Sequence, residues 1–202
     1  ETLDKFTESY LRQKYTARPA RKDVTDESIR ILNDFLTDDD ISFILNRSNI
    51  RLSIISAQCR GISSFESNAA LALSFIPALI VNIISRKLLL KIYTRTLFHD
   101  TRSTPPFIDI FKSENRVELT AENFKQALLS SGSIPFVMEG IKNIPGAPYG
   151  TYRDGGLTDY HININFGVED KIVLFPHFGS RVIPGWLDKS LSWRKPDSKF
   201  FS

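Results

Sequence analysis

A chain of 202 residues, 42% hydrophobic and 24% charged, has the composition of one compact domain rather than of a disordered or fibrous protein. Its net charge is +3 and its pI near 9.0, but 26 Lys+Arg are interleaved with 23 Asp+Glu, so no nucleic-acid partner is expected and an anionic membrane surface fits the charge equally well. One cysteine, Cys59, excludes an internal disulfide and a multi-cysteine metal site; it is expected to be a small buried hydrophobe, and this usage favours the reduced, cytoplasmic side of a membrane.

Residues 1–25 are rich in charge and lack a clean apolar period, which predicts a linker or a helix over 3–15 ahead of a core spanning 26–188. Asp26 can cap a helix over 28–36, with Ile29, Leu32 and Leu36 at helical spacing. Thr37 and Asp40 then have the form of a capping box for a helix that places Ile41, Ile44 and Leu45 on one face. Residues 50–57 (IRLSIISA) read as a strand buried on both faces, ended by Gly61.

The most hydrophobic stretch, 69–84, is sixteen positions long and interrupted by Ser74, Pro77 and Asn82. A bilayer-spanning helix needs about 20 apolar residues. The stretch is therefore expected to be a core or cap helix. Its functional alternative is an interfacial helix, with Arg86, Lys87, Lys91 and Arg95 directed at anionic head groups. Beyond Pro106 the pattern predicts a strand over 117–119, a helix over 121–130 capped by Thr120, and a turn at 131–133. Extended segments are expected at 137–141 and 150–153, a late core strand at 171–176 (KIVLFP), and a loose tail over 189–202 apart from Trp193. Strands alternating with helices indicate an α/β layer structure.

Chemistry concentrates at Asp154-Gly155-Gly156. Two successive glycines permit positive φ or a close approach of another backbone. An aspartate just before them, at the end of an extended segment, would present its carboxylate to a cleft. Asp-Gly is also a common turn dipeptide, and a plain turn is the structural alternative. His99, His161 and His177 show no i, i+4 pair and no accompanying ligand cluster, so no metal site is expected. His161 lies close enough to the glycines to line a cleft. Asp159 is expected to hydrogen-bond a loop backbone, and Arg153 to be solvated unless it meets a phosphate head group.

The stretch around this tripeptide resembles the patatin-like phospholipase family of serine lipid acyl hydrolases. The resemblance rests on Ala127, Leu128, Ser130 and Ser131, on Ser133-Ile134-Pro135, and on Tyr152 through Leu157, in that order and spacing; it is clearest over 50–172. Residues 176–178 and 184–189 are similar to a bacterial branch of the family, more loosely. The resemblance implies an α/β three-layer domain with a mainly parallel central sheet. It also implies a Ser–Asp dyad in which Asp154 is the base and Gly155 and Gly156 shape its loop. The implied substrate is an acyl ester of a phospholipid or other glycerolipid, met in the cytoplasm or at a peripheral membrane contact, with no metal or organic cofactor.

The sequence departs from the family pattern at the nucleophile. It holds no Gly-x-Ser-x-Gly and no glycine-rich oxyanion loop. Ser63, Ser64, Ser131 and Ser133, the serines nearest glycines, do not fit the elbow. In the family's order both missing parts precede the aligned stretch, so this is expected to be the C-terminal part of a domain incomplete at its N-terminus, inactive by itself. The alternative is a non-catalytic lipid- or membrane-binding module of the same fold that has lost its nucleophile.

Overall fold

The computed structural model describes residues 2–13, 15, 17–167, 172–176 and 179–196. Three helices come first: α1 (Thr2–Leu11), α2 (Arg21–Phe35) and α3 (Asp38–Asn46). The start of α3 follows its sequence: Thr37 Oγ1 accepts from the Asp40 N–H at 3.2 Å, and Asp40 accepts from the Thr37 N–H at 3.0 Å. α2 begins well before the expected Ser28. Asp23 accepts from the Ala20 N–H at 2.8 Å and secures the first turn, while Asp26 lies inside the helix, paired with Lys22. Val24 is the one hydrocarbon side chain in its first two turns, so an apolar period misses them.

β1 (Ser53–Cys59) is followed by Gly61, whose φ of 61° turns the chain into a short 3-10 segment. Then come α4 (Asn68–Ile84), α5 (Arg86–Leu89) and β2 (Tyr93–His99). β3 (Arg116–Glu118), α6 (Phe124–Ser131), β4 (Ile141–Lys142), β5 (Thr151–Asp154) and α7 (Gly156–Asp159) follow.

The five strands form one sheet in the order β3-β2-β1-β5-β4. β1 runs antiparallel to β2 and to β5, and β4 antiparallel to β5; β2 and β3 are parallel. The fold is α/β with a mixed sheet, and the expected predominance of parallel pairing is corrected. Cys59 at the end of β1 lies opposite Tyr93 at the start of β2, and the Arg60 N–H donates to the Ile92 carbonyl at 3.0 Å. The chain thus re-enters the sheet at the end where it left. α4 and α5 make an excursion instead of the crossover that parallel strands require.

Alternate residues of β1 serve two cores. Ile54 packs with Leu36, Ile41, Phe98, Phe124 and Tyr152, under α2, α3 and α6. Ala57 and Cys59 pack with Ala78, Leu89, Tyr93 and Leu157, under α4, α5 and α7. Cys59 is buried as expected, and desolvation pushes its thiol up to about 12.

Several local expectations are corrected. α6 starts at Phe124, and Thr120 does not cap it; the Thr120 N–H donates to Asn123 Oδ1 at 2.9 Å. Residues 137–140 form no strand, and strand pairing begins at Ile141. Residues 172–176 form no strand: Ile172 is 97% and Leu174 88% exposed, and apolar content without a neighbouring strand to pair with makes no sheet. Lys171 and residues 197–202 lie outside the described residues. The tail is anchored further than expected, because Leu191 is buried and Arg194 donates to the Asn82 carbonyl at 2.6 Å, whereas Trp193 is exposed.

Candidate active site

β5 ends on Asp154, whose position is fixed from two sides. It pairs opposite Ser56 in β1, and its N–H donates to the Ser133 carbonyl at 3.1 Å. The turn that follows uses close approach and not left-handed backbone: Gly155 has φ −58°, and Gly156 opens α7. A Cβ on Gly155 would lie 2.4 Å from the Ile55 carbonyl oxygen and 2.9 Å from its carbon. That obstacle is the backbone of a central strand and cannot swing aside. Gly155→Ala is expected to destabilise the fold by about 1–3 kcal/mol, read as a lower urea midpoint at unchanged slope. An unchanged midpoint would show that β1 yields here.

The Gly156 N–H donates to Asp154 Oδ1 at 2.7 Å. Among the described residues, Oδ2 takes no hydrogen bond. The carboxylate faces a hollow of about 120 Å³ walled by Ile134, Pro135, Leu157 and Trp186, with Tyr160 and Lys189 at its polar side. Desolvation raises the carboxyl pKa above its ordinary value. The Gly156 hydrogen bond and the nearby Lys189 charge pull the other way without cancelling it. Lys189 Nζ sits 4.0 Å from the centroid of the Tyr160 ring. A hollow this size admits a reacting group but not an acyl chain, since sites for whole small molecules run from about 300 Å³ upward. A larger hollow of about 330 Å³ beside α1 and α2 is bordered by Glu8, Arg12, Arg30 and Asp34, but these charges pair with one another.

The other residues singled out from sequence fall elsewhere. Asp159 does not bond a loop backbone; both its oxygens accept from Arg95, at 2.7 and 2.8 Å. Arg95 is therefore turned inward and cannot meet head groups. Arg86 is turned inward as well, bonded to Asp188 and to the Thr158 carbonyl. Lys87 and Lys91 remain exposed. Arg153 is not solvated but fully buried, 2.8 Å from Glu66 Oε1.

His161 is a structural residue. Its ring Nδ1 accepts from the Ile183 N–H at 2.8 Å, its backbone N–H donates to the Ile183 carbonyl at 3.0 Å, and it does not line the Asp154 hollow. His99 is buried beside the Asp100 carbonyl, and His177 lies outside the described residues. No group of three potential ligands could hold a metal ion among the described residues.

The four serines considered as nucleophiles are committed locally. Ser63, Ser64, Ser131 and Ser133 each donate to a carbonyl three or four residues back, at 2.7 to 2.8 Å. Sequence reasoning did not single out Tyr160, Trp186 or Lys189 as walls of the hollow. The available signal was the i, i+3 spacing of Trp186 and Lys189 within 184–189, which puts both on one side of a helical turn. Compared with protein-family models, with curated proteins and with solved structures, the chain matches none.

Proposed function

We propose that Asp154 is the general base of a Ser–Asp acyl hydrolase acting on esters of phospholipids or other glycerolipids, in a domain of patatin type. The serine and its oxyanion loop come from outside these 202 residues, together with parallel strands that extend the sheet described above. The observation that carries this reading is the state of Asp154. It is a desolvated carboxylate with a raised pKa at the end of a central-sheet strand, one oxygen held by the Gly156 N–H and the other open to an apolar-walled hollow.

In the reaction, Oδ2 accepts the serine hydroxyl proton as the serine oxygen attacks the ester carbonyl carbon. Collapse of the tetrahedral intermediate breaks the ester C–O bond, and the departing alcohol takes the proton from Asp154. Water then attacks the acyl-enzyme, passes its proton through the same carboxylate, and releases the fatty acid and the free serine. Such acyl transfer needs neither a metal nor an organic cofactor.

A fluorophosphonate probe tests the assignment of the nucleophile. The 202-residue chain is expected to remain unlabelled and without esterase turnover, whereas a longer product of the same gene that includes the serine segment is labelled and turns over. Asp154-dependent hydrolysis by the 202 residues alone would overturn the reading. A longer product that neither labels nor hydrolyses would favour a lipid-binding module, which the local commitment of the four serines also fits.

A further inference from the structure

α4 is built inside out. Its buried side chains are Leu71, Ser74, Ala78 and Asn82, at spacing i, i+3, i+7 and i+11. Leu73, Ile76, Ile80 and Ile84 repeat that spacing two residues later, about 200° around the helix, and each is more than half exposed. Polar groups face the protein, where Ser74 donates to the Leu71 carbonyl at 2.7 Å and Asn82 to Asp188 at 2.7 Å. The aliphatic groups face outward. A helix facing water has the opposite arrangement.

None of the seventeen residues of α4 carries a charge. Just past its C-terminus, Lys87 and Lys91 are exposed, and neither pairs with a carboxylate among the described residues. The apolar surface continues to the Asp154 hollow: the Phe75 ring in α4 lies 5.2 Å from Phe136 and 5.4 Å from Trp186, a wall of the hollow. No helix among the described residues is long and apolar enough to cross a membrane.

We infer that the outer face of α4 lies flat in the interfacial layer of an anionic bilayer, with Lys87 and Lys91 against its phosphate groups and the Asp154 hollow opening beside the lipid. Charge decides for this occupant: an uncharged aliphatic stripe bordered by unpaired lysines complements an anionic lipid surface. The inference deepens the acyl-hydrolase reading by naming where its substrate is met, and its test reads binding independently of turnover.

The full chain is floated with vesicles of phosphatidylcholine, with and without phosphatidylglycerol. Binding to the anionic vesicles is expected. Ile76→Asn/Ile80→Asn should weaken it by about tenfold or more, and Lys87→Glu/Lys91→Glu by about fivefold per lysine, down to the level on phosphatidylcholine alone. All four side chains are exposed, so both variants should keep the wild-type melting temperature. Failure of the wild type to float, or equal flotation of the isoleucine variant, overturns the inference. So does a wild type that elutes as a dimer, does not float, and becomes monomeric in the isoleucine variant, because that result assigns the face to a second copy. Asp154→Asn is expected to float like wild type. Loss of flotation while the longer, serine-containing product keeps Asp154-dependent turnover overturns the membrane face alone, and normal flotation with no such turnover in that longer product overturns the hydrolase reading alone.

Discussion

In the proposed acyl hydrolase, Asp154→Asn is expected to lower ester turnover by about 10²–10⁴-fold, the range for losing a general base, and to make the protein more stable at neutral pH. Both effects have one cause. Burial raises the Asp154 pKa in the folded state, so the native protein holds this proton more tightly than the unfolded chain does. The stabilising contribution of the protonated acid is complete below the ordinary carboxylate pKa and is lost as pH rises through the raised native value. At neutral pH the wild type carries a poorly solvated charge that asparagine lacks, and Asn Oδ1 can still accept from the Gly156 N–H. Urea unfolding should therefore show the variant ahead of wild type at neutral pH, with its advantage shrinking in acid. Turnover by the wild type should rise with pH through the same raised pKa, because the base works ionised. An advantage that is the same in acid and at neutrality would place the carboxylate in solvent. Unchanged turnover in the variant would remove Asp154 from the chemistry.

What was legible in the sequence follows the range of the interactions. The Thr37 and Asp40 capping box is local and formed as read. The strand around Ile54 and the helix after residue 68 were carried by strong apolar patterns. Strand direction was not legible, because a helical excursion that returns to the same end of the sheet alternates like a crossover does. The run at 172–176 misled because its apolar content says nothing about whether a partner strand is present. Within the site, the position of Asp154 at a strand end was readable from Tyr152 through Gly156. The reason for Gly155 was not, since its constraint is the Ile55 carbonyl about a hundred residues earlier in the chain. Arginines are read as solvated by default, and Arg86, Arg95 and Arg153 each violate that default through a partner distant in sequence.

Glu66→Ala is expected to destabilise the protein by about 3–5 kcal/mol, the range for stranding one partner of a buried ion pair. Arg153 is fully buried in β5, one residue before Asp154, and Glu66 Oε1 is its charged partner at 2.8 Å. The same carboxylate accepts from the Gly140 N–H at 3.1 Å and lies 3.3 Å from Arg21, so it joins the segment before β4 and the start of α2 to the strand that ends on Asp154. Glu66 is partly open to solvent, at 20% side-chain exposure, which places the expected cost toward the lower end of that range. Glu66→Gln keeps an oxygen for Arg153 and Gly140 and should cost less than the alanine variant, whereas Arg153→Met/Glu66→Leu removes both charges and should recover part of the loss. Urea unfolding of the three variants separates the causes. If the double variant is no more stable than Glu66→Ala, the loss comes from the hydrogen bonds to Gly140 and the packing around Glu66. If it recovers, the uncompensated Arg153 charge was the cause, and the seat of Asp154 depends on the neutralised arginine one residue before it.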